Sequence, residues 1–337
     1  MDFGLTGEQE QLADSERSWL ERNDPIARLR QALDEAPITV DPAAVTHAAQ
    51  SGLLALLTPD VGGTHVDLAV CSEAHGYAAS SLPLADLAIG CWLLERAGVP
   101  EAGTEGHQLV GLARAVEQTT SPVPMAADMD GFAVARRTDG GEFVALVRDP
   151  KLLAMTTLDL SRSWARLDLD GLALDWLALP AGTLQQVRDA LAVHRAFDAL
   201  GGAARLLEMT IAYAGQREQF GAAIGSFQAV KHHCADMAVG VEAGRAALWA
   251  AALSLDGAAD DVRSRASSAA VAYAKSAASE VASTALQVHG GIGFTWEHPA
   301  HLYFKRAKSC EAMFGTPGYH RDRLAARLGL AANCAEA

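Results

Sequence analysis

Arg217, Phe220, Gly221, Ile224, Gly225, Phe227 and Gln228 fall in one short stretch between two long runs of helical period. A guanidinium can pair bidentately with a diphosphate. A ring at Phe220 can stack on a purine, and the Gln228 amide can both donate and accept hydrogen bonds on nucleotide edges. Gly221 and Gly225 mark a turn that lets such groups converge. The same residues also suit an ordinary interhelix loop with a surface arginine. A second stretch, Gln287, Gly290, Gly291, Gly293 and Phe294, closes another helical run. Glycine after a helix is usually a cap, but a cluster of them also lets backbone N–H groups approach a phosphate or sugar closely. The spacing is not that of the Gly-x-Gly-x-x-Gly turn, and no strand precedes it. Taken singly, each stretch is as compatible with a plain loop or cap as with a nucleotide contact.

Histidines are the other candidates for chemistry near neutral pH. His232, His233, His289, His298 and His301 show no spacing of a metal site, and the adjacent His232 and His233 face different directions on a helix. No metal is expected.

The elements that must position these residues come in three zones. In 1–105, a capping box at Thr6 and Gln9 opens an amphipathic run over 9–22. Further helical runs follow over 42–57 and 68–97, joined by a turn rich in Pro and Gly at 58–64. In 106–183 the period changes to short alternating or continuously apolar runs around Phe132, Phe143, Trp164 and Trp176, with hairpin signals at Asp139-Gly140 and Asp170-Gly171. That reads as a small antiparallel sheet. In 184–330 helical period returns over 184–216, 228–255 and 260–289, with shorter helices near 301–314 and 320–328, and 331–337 is a tail. The expected class is mainly α with a small β middle domain and a C-terminal four-helix bundle.

Composition narrows the function. A formal charge of −14 with no basic cluster excludes a nucleic-acid role. No stretch reaches 18 uninterrupted apolar residues, Lys275 and Ser276 interrupting the alanine-rich run Ala269–Ala278, so no membrane span is expected. The opening residues lack the pattern of a signal peptide. Five scattered cysteines without CxxC spacing suit reduced thiols and a cytoplasmic protein.

The two stretches together, in this order, resemble the C-terminal domain of the acyl-CoA dehydrogenase family. Arg217, Phe220, Gly221, Ile224, Phe227 and Gln228, with the helix carrying Asp236 and Met237, match the family's first flavin-contacting turn; Gln287, Gly290, Gly291, Gly293 and Phe294 match the second. The opening Met1, Asp2, Phe3, Leu5, Thr6 and Gln9 and the turn at Asp60, Val61, Gly62 and Gly63 are also similar. The resemblance implies N-terminal helices, a β domain and a C-terminal bundle, with FAD shared between subunits and contacted here by Arg217, Gln219, Phe220, Ile224, Phe227, Gln228, Gln287, Gly290 and Gly291. It implies removal of an α-proton and a β-hydride from an acyl-CoA, electrons passing to an electron-transfer flavoprotein.

The resemblance breaks at two places. The family's Thr-Glu-Pro-x-x-Gly-Ser-like loop is not found in the corresponding stretch, 111–121. The carboxylate that most members carry immediately before the Gly315-Thr316 pair is Phe314 here, and the alternative position on an earlier helix falls near Leu191. A phenyl ring cannot accept a proton. Glu311 would share a helical face with Phe314 if the helix continued; it is either a relocated base or an ordinary residue ion-paired with Lys308. The ending, Phe314 to Leu324, is similar to short members that assemble as α2β2 with the base on one subunit type. The expectation is therefore a subunit without the catalytic Glu, paired with a second acyl-CoA dehydrogenase-like chain, acting on an acyl-CoA of bulky, steroid-like type. The alternatives are a flavin-free structural subunit and an oxidase or monooxygenase on the same fold.

Overall fold

The computed structural model describes residues 4–23, 25–35, 38–99 and 108–330. Helices α1 (Gly7–Asn23), α2 (Pro25–Glu35), α3 (Pro42–Gln50), α4 (His65–Tyr77) and α5 (Leu84–Arg96) come first. Strands β1 (Val110–Val116), β2 (Thr119–Thr120), β3 (Val123–Pro124), β4 (Gly131–Thr138), β5 (Gly141–Val147), β6 (Leu152–Met155), β7 (Trp164–Leu167) and β8 (Leu177–Leu179) follow. The chain then runs through α6 (Thr183–Gln216), β9 (Glu218–Gln219), β10 (Ala222–Ala223), α7 (Gln228–Leu255), α8 (Asp260–His289), α9 (Ala300–Ala312) and α10 (Pro317–Arg327).

Local chemistry accounts for most boundaries. At the start of α1 the Gln9 N–H donates to Thr6 Oγ1 at 3.2 Å and the Thr6 N–H donates to Gln9 Oε1 at 3.1 Å, the reciprocal capping box read from the sequence. The run expected over 68–97 is two helices. Ala79 turns the chain with φ +52, and Pro83, which has no N–H to donate, precedes α5. Likewise 42–57 stops at Gln50, because Gly52 takes φ +70 before a single 3-10 turn at Leu53–Ala55. The helix α2, with Pro25 at its first position, was not among the expected runs.

The strands form a five-stranded sheet of order β2-β1-β4-β5-β8 and a three-stranded sheet of order β3-β7-β6. Asp139 and Gly140 do make the tight β4–β5 hairpin, with Thr138 opposite Gly141. Two expectations need correction. The β1–β4 pair is parallel, because the chain leaves β1 through β2 and β3 before returning as β4. Asp170-Gly171 is no hairpin: it lies between β7 of one sheet and β8 of the other. Phe132, Val134, Val147 and Leu167 are buried in the core of this β region. The stretch 111–121 is consumed by β1 and its antiparallel return into β2, with Val116 opposite Thr119 and Glu117 at φ +53 in the turn.

Two compact units are present, one drawn from the described parts of 1–26, 69–79 and 192–337, the other from 27–68 and 80–191. They do not follow the linear zones, since the N-terminal helices are divided between them; the 105/106 boundary and the tail 331–337 lie outside the described residues. In the first unit α7 and α8 pack antiparallel, Gly240 facing Ala277 and Val281, and Gly244 facing Ala274. By length and composition alone α7 is long and apolar enough to cross a membrane. Its Met237, Val241 and Leu248 are buried, the first two in a shared core with Val281, Ala285 and Leu286 of α8, while 28% of the apolar window as a whole is buried. The described cysteines, Cys71, Cys91, Cys234 and Cys310, are all free thiols.

Candidate functional site

The first predicted turn is a miniature hairpin. Where α6 ends, the Arg217 N–H donates to Tyr213 O at 2.8 Å, and the Ile224 N–H returns to Arg217 O at 2.7 Å. Between them β9 and β10 pair, with Phe220 at φ +55 and Gly221 at φ +80 in the two-residue turn. Positive φ at both positions is the I′ geometry that fits the twist of short hairpins. The turn leaves Phe220 95% exposed, its ring edge-on to Phe227 at 6.2 Å. Arg217, Gln219 and Gln228 are exposed, and Ile224 is half-buried. Gly225 has a different purpose from Gly221: a Cβ there would stand 3.0 Å from Ala214 O, so it permits close packing against α6.

The second turn follows α8. Gly290 takes φ +61 and ψ −142, a conformation essentially reserved for glycine, and opens a 3-10 turn through Phe294. Gly290 and Gly291 have open space where a Cβ would stand, as does Gly221, so their backbone can be approached by a ligand. Gly293 is again a packing glycine, with 3.0 Å between its would-be Cβ and His289 Cβ. Gln287 is exposed in the last turn of α8.

The fold brings the two turns to one end of the bundle. The antiparallel register of α7 and α8 carries Gln228 to the level of Gly290, and the Tyr213 ring at the end of α6 stacks on His289 at 4.7 Å. An exposed guanidinium, an exposed ring, amides and bare backbone on adjacent turns fit a dinucleotide with a diphosphate and an aromatic base.

Phe314 lies at the other feature singled out by sequence. The helix α9 stops at Ala312, Met313 is extended, and Phe314 takes φ +55. Glu311 and Phe314 therefore do not share a helical face, as a continuing helix would have required. Glu311 instead accepts from Ser279 Oγ at 2.6 Å and pairs with Lys308 at 3.5 Å, on the side of an ordinary ion-paired residue. The Arg195 guanidinium lies over the Phe314 ring, 3.2 Å from its centroid. Lys275, 1% exposed, reaches from α8 to donate to Met313 O and Gly315 O, both at 2.8 Å, and so holds the carbonyls on either side of Phe314. The Gly315-Thr316 pair has its own structural reason. Gly315, at φ +93, leaves 2.7 Å between a would-be Cβ and the rings of Tyr319 and His320, and Thr316 Oγ1 caps α10 by accepting from the Tyr319 N–H.

Sequence reasoning missed Lys275 and Arg195. The signal for Lys275 was present as the charge that interrupts an alanine-rich run, which a buried partner explains. Burial pulls its ammonium down to about 8, with Arg195 acting the same way against Cys310 and Glu311. Between about 8 and the ordinary 10.5 the unfolded chain binds a proton that the folded chain does not, so this group makes stability rise with pH across that window. The full effect is about 3 kcal/mol. Urea unfolding of the protein and of Lys275→Met at pH 7.5 and 10 is expected to show the gap between them moving toward the parent protein at the higher pH. An unchanged gap would show that the ammonium is not desolvated.

The histidines form no metal cluster among the described residues. His232 and His233 are exposed on α7, and His301 Nδ1 lies 2.9 Å from His298 O.

Comparison with known proteins places this architecture among the acyl-CoA dehydrogenase folds. The ChsE4-ChsE5 complex of Mycobacterium tuberculosis superposes with a TM-score of 0.87 at 24% identity, covering 99% of this chain and 100% of that one. The Tcur3481-Tcur3483 steroid ACAD variant gives 0.83 at 22%, covering 96% and 98%. Residues 184–329 match the acyl-CoA dehydrogenase C-terminal domain. The acyl-CoA dehydrogenase IpdE2 of Mycolicibacterium smegmatis is 32% identical over 289 residues, 83% of this chain and 85% of that protein. The chain belongs to the acyl-CoA dehydrogenase family, whose members bind FAD.

Proposed function

We propose that this chain is the subunit without a base in a heteromeric, cytoplasmic acyl-CoA dehydrogenase. The observation that carries the proposal is Phe314, locked beneath Arg195 and between carbonyls held by Lys275, where the resemblance places the carboxylate. A proton acceptor must be a basic group at hydrogen-bond reach of the substrate carbon; the ring offers none, and Glu311 is engaged by Ser279 and Lys308. The partner, a second acyl-CoA dehydrogenase-like chain, supplies the carboxylate that takes the α-proton. The chemistry that bound FAD would supply is acceptance of the β-hydride, which with loss of the α-proton would leave an α,β-double bond in the acyl-CoA, the electrons passing on to an electron-transfer flavoprotein.

This chain's part is to bind and orient. Arg217 would pair with the diphosphate, Phe220 and Phe227 would offer ring faces, Gln219, Gln228 and Gln287 would donate and accept at the edges, Ile224 would pack beside them, and the backbone at Gly290 and Gly291 would admit close approach. The steroid ACAD whose fold this chain shares motivates a bulky, ring-bearing acyl group as the substrate class to test.

The test is dye- or flavoprotein-coupled oxidation of steroid side-chain CoA esters by the chain alone and co-purified with its partner. Removal of a general base costs about 10²–10⁴ in rate, so the chain alone is expected to fall at least a hundredfold below the pair. Glu311→Gln in the pair should change turnover less than twofold. Turnover by the chain alone that disappears in Glu311→Gln would overturn the assignment and make Glu311 the base. A colourless pair points to the structural subunit, and oxygen uptake without the flavoprotein to the oxidase.

A further inference from the structure

Three rings meet at the end of the bundle that carries both turns. Tyr213 and His289 stack with centroids 4.7 Å apart and planes inclined by 21°, and His298 lies 4.5 Å from His289 on a tilted plane. Each ring belongs to one border of the candidate site. Tyr213 accepts the Arg217 N–H that starts the first turn, His289 immediately precedes Gly290, and His298 follows the 3-10 turn that ends at Phe294.

His289 is 3% exposed. Its Nδ1 lies 2.8 Å from Ala285 O, and a carbonyl only accepts, so Nδ1 carries a proton, and in the neutral ring Nε2 is left as an acceptor. That Nε2 is buried with no hydrogen-bond partner among the described residues. His298 Nδ1 accepts from the Ala300 N–H at 3.2 Å, which leaves the proton of the neutral ring on Nε2.

We propose that His289 is the positioning residue of the cofactor site, a neutral ring packed against both Tyr213 and His298, which also meet each other edge-on at 6.5 Å, so that the three-ring clamp holds the two turns in place for one dinucleotide. The ligand in this statement rests on the flavin reading above; the clamp is a property of the fold.

A charged His289 would add a buried N–H without an acceptor and place a cation against a second imidazole. Among the described residues the contacts made by its ring are two other rings and one carbonyl. Tyr213 comes from α6, the Ala285 carbonyl from α8, His298 from the segment entering α9, and His301, behind it, from the first turn of α9. Farther out, Lys305 stands over the Trp296 ring that meets His301 edge-on, and Glu297 is exposed. Burial already holds the imidazole below its ordinary range, against the opposing pull of the Ala285 carbonyl. Acid therefore opens the clamp.

The experiment uses the full chain with its partner, FAD as the probe, and backbone hydrogen exchange as a second readout. In the parent protein FAD affinity is expected to fall tenfold or more between pH 7.5 and 5.0, and in His289→Phe, which keeps a ring that cannot charge, to stay within threefold. In His289→Ala affinity should be at least tenfold weaker at pH 7.5. Exchange should accelerate in both 217–227 and 290–294, while 264–282 in the middle of α8 stays protected. Unchanged exchange at both turns in His289→Ala, or the same pH profile in His289→Phe as in the parent, overturns the proposal. If the parent binds no FAD at any pH while His289→Ala still frees both turns, the clamp stands and the flavin reading falls.

Discussion

Asp198→Asn is expected to destabilise the helical unit by about 3–5 kcal/mol, the usual cost of breaking a buried ion pair from one side. Asp198 on α6 and Arg306 on α9 have side chains only 9% and 2% exposed. They meet in a two-pronged contact, Arg306 Nε to Asp198 Oδ1 at 2.9 Å and a terminal nitrogen to Oδ2 at 2.6 Å. The guanidinium is always charged and presents a planar fork that a carboxylate matches and an amide does not. Asparagine would turn an NH₂ toward one prong and leave the charge without its counterion. The pair as a whole is not a source of large net stability, because both charges were taken from water to make it. Hence Asp198→Leu with Arg306→Met is expected to recover most of the loss. Urea unfolding of the two singles and the double measures this; singles within about 1 kcal/mol of the parent would mean that water reaches the guanidinium.

Gly76→Val should be at least as damaging. A Cβ on Gly76 would stand 1.9 Å from Asp198 O and 2.6 Å from Asp198 C, and one on Gly201 would stand 2.1 Å from Glu73 O. In both cases the obstacle is the backbone of the opposite helix, which cannot rotate away as a side chain can. The helices α4 and α6 must separate to admit even a methyl group, and the polar bonds around them separate too: Arg245 to Glu73 at 2.7 Å, Tyr303 Oη to Tyr77 O at 2.8 Å. Overpacking in a core costs about 1–3 kcal/mol and occasionally more; with backbone as the obstacle, a loss above about 3 kcal/mol is expected, and soluble yield should fall with it. Gly215→Ala is the control, also on α6 but with open space around it. It should be neutral or stabilising by up to about 1 kcal/mol, since alanine is the better helix former. A folded Gly76→Val with an unchanged midpoint would show that α4 and α6 are not in backbone contact. Because Asp198 is the residue Gly76 faces, Gly76→Ala and Asp198→Asn should combine less than additively.

The long helices were legible because they are amphipathic over many turns. The runs read at 228–255 and 260–289 coincide with α7 and α8, and 184–216 differs from α6 by one residue. Short elements were less so. A two- to four-residue strand such as β3 or β6 offers too few positions for alternation to show, and the break between α4 and α5 rests on one left-handed alanine and one proline. The parallel β1–β4 pairing was beyond reach, since hairpin signals describe only neighbours in sequence.

At the site, the sequence by itself determined which chemical groups each turn carries, that glycines sit where backbone must be bare, and that residue 314 has no carboxylate. These are facts of side-chain type and spacing, complete before the chain folds. Only the tertiary structure decided that Gly290 and Gly291 are open while Gly225 and Gly293 serve packing. It alone put Phe314 beyond the end of α9, out of line with Glu311, under Arg195 and against carbonyls held by Lys275. It alone brought His289 into contact with both Tyr213 and His298. The reason is physical: periodicity says which face of a helix is buried, but the state of a buried lysine or imidazole depends on desolvation and on neighbours brought from distant parts of the chain.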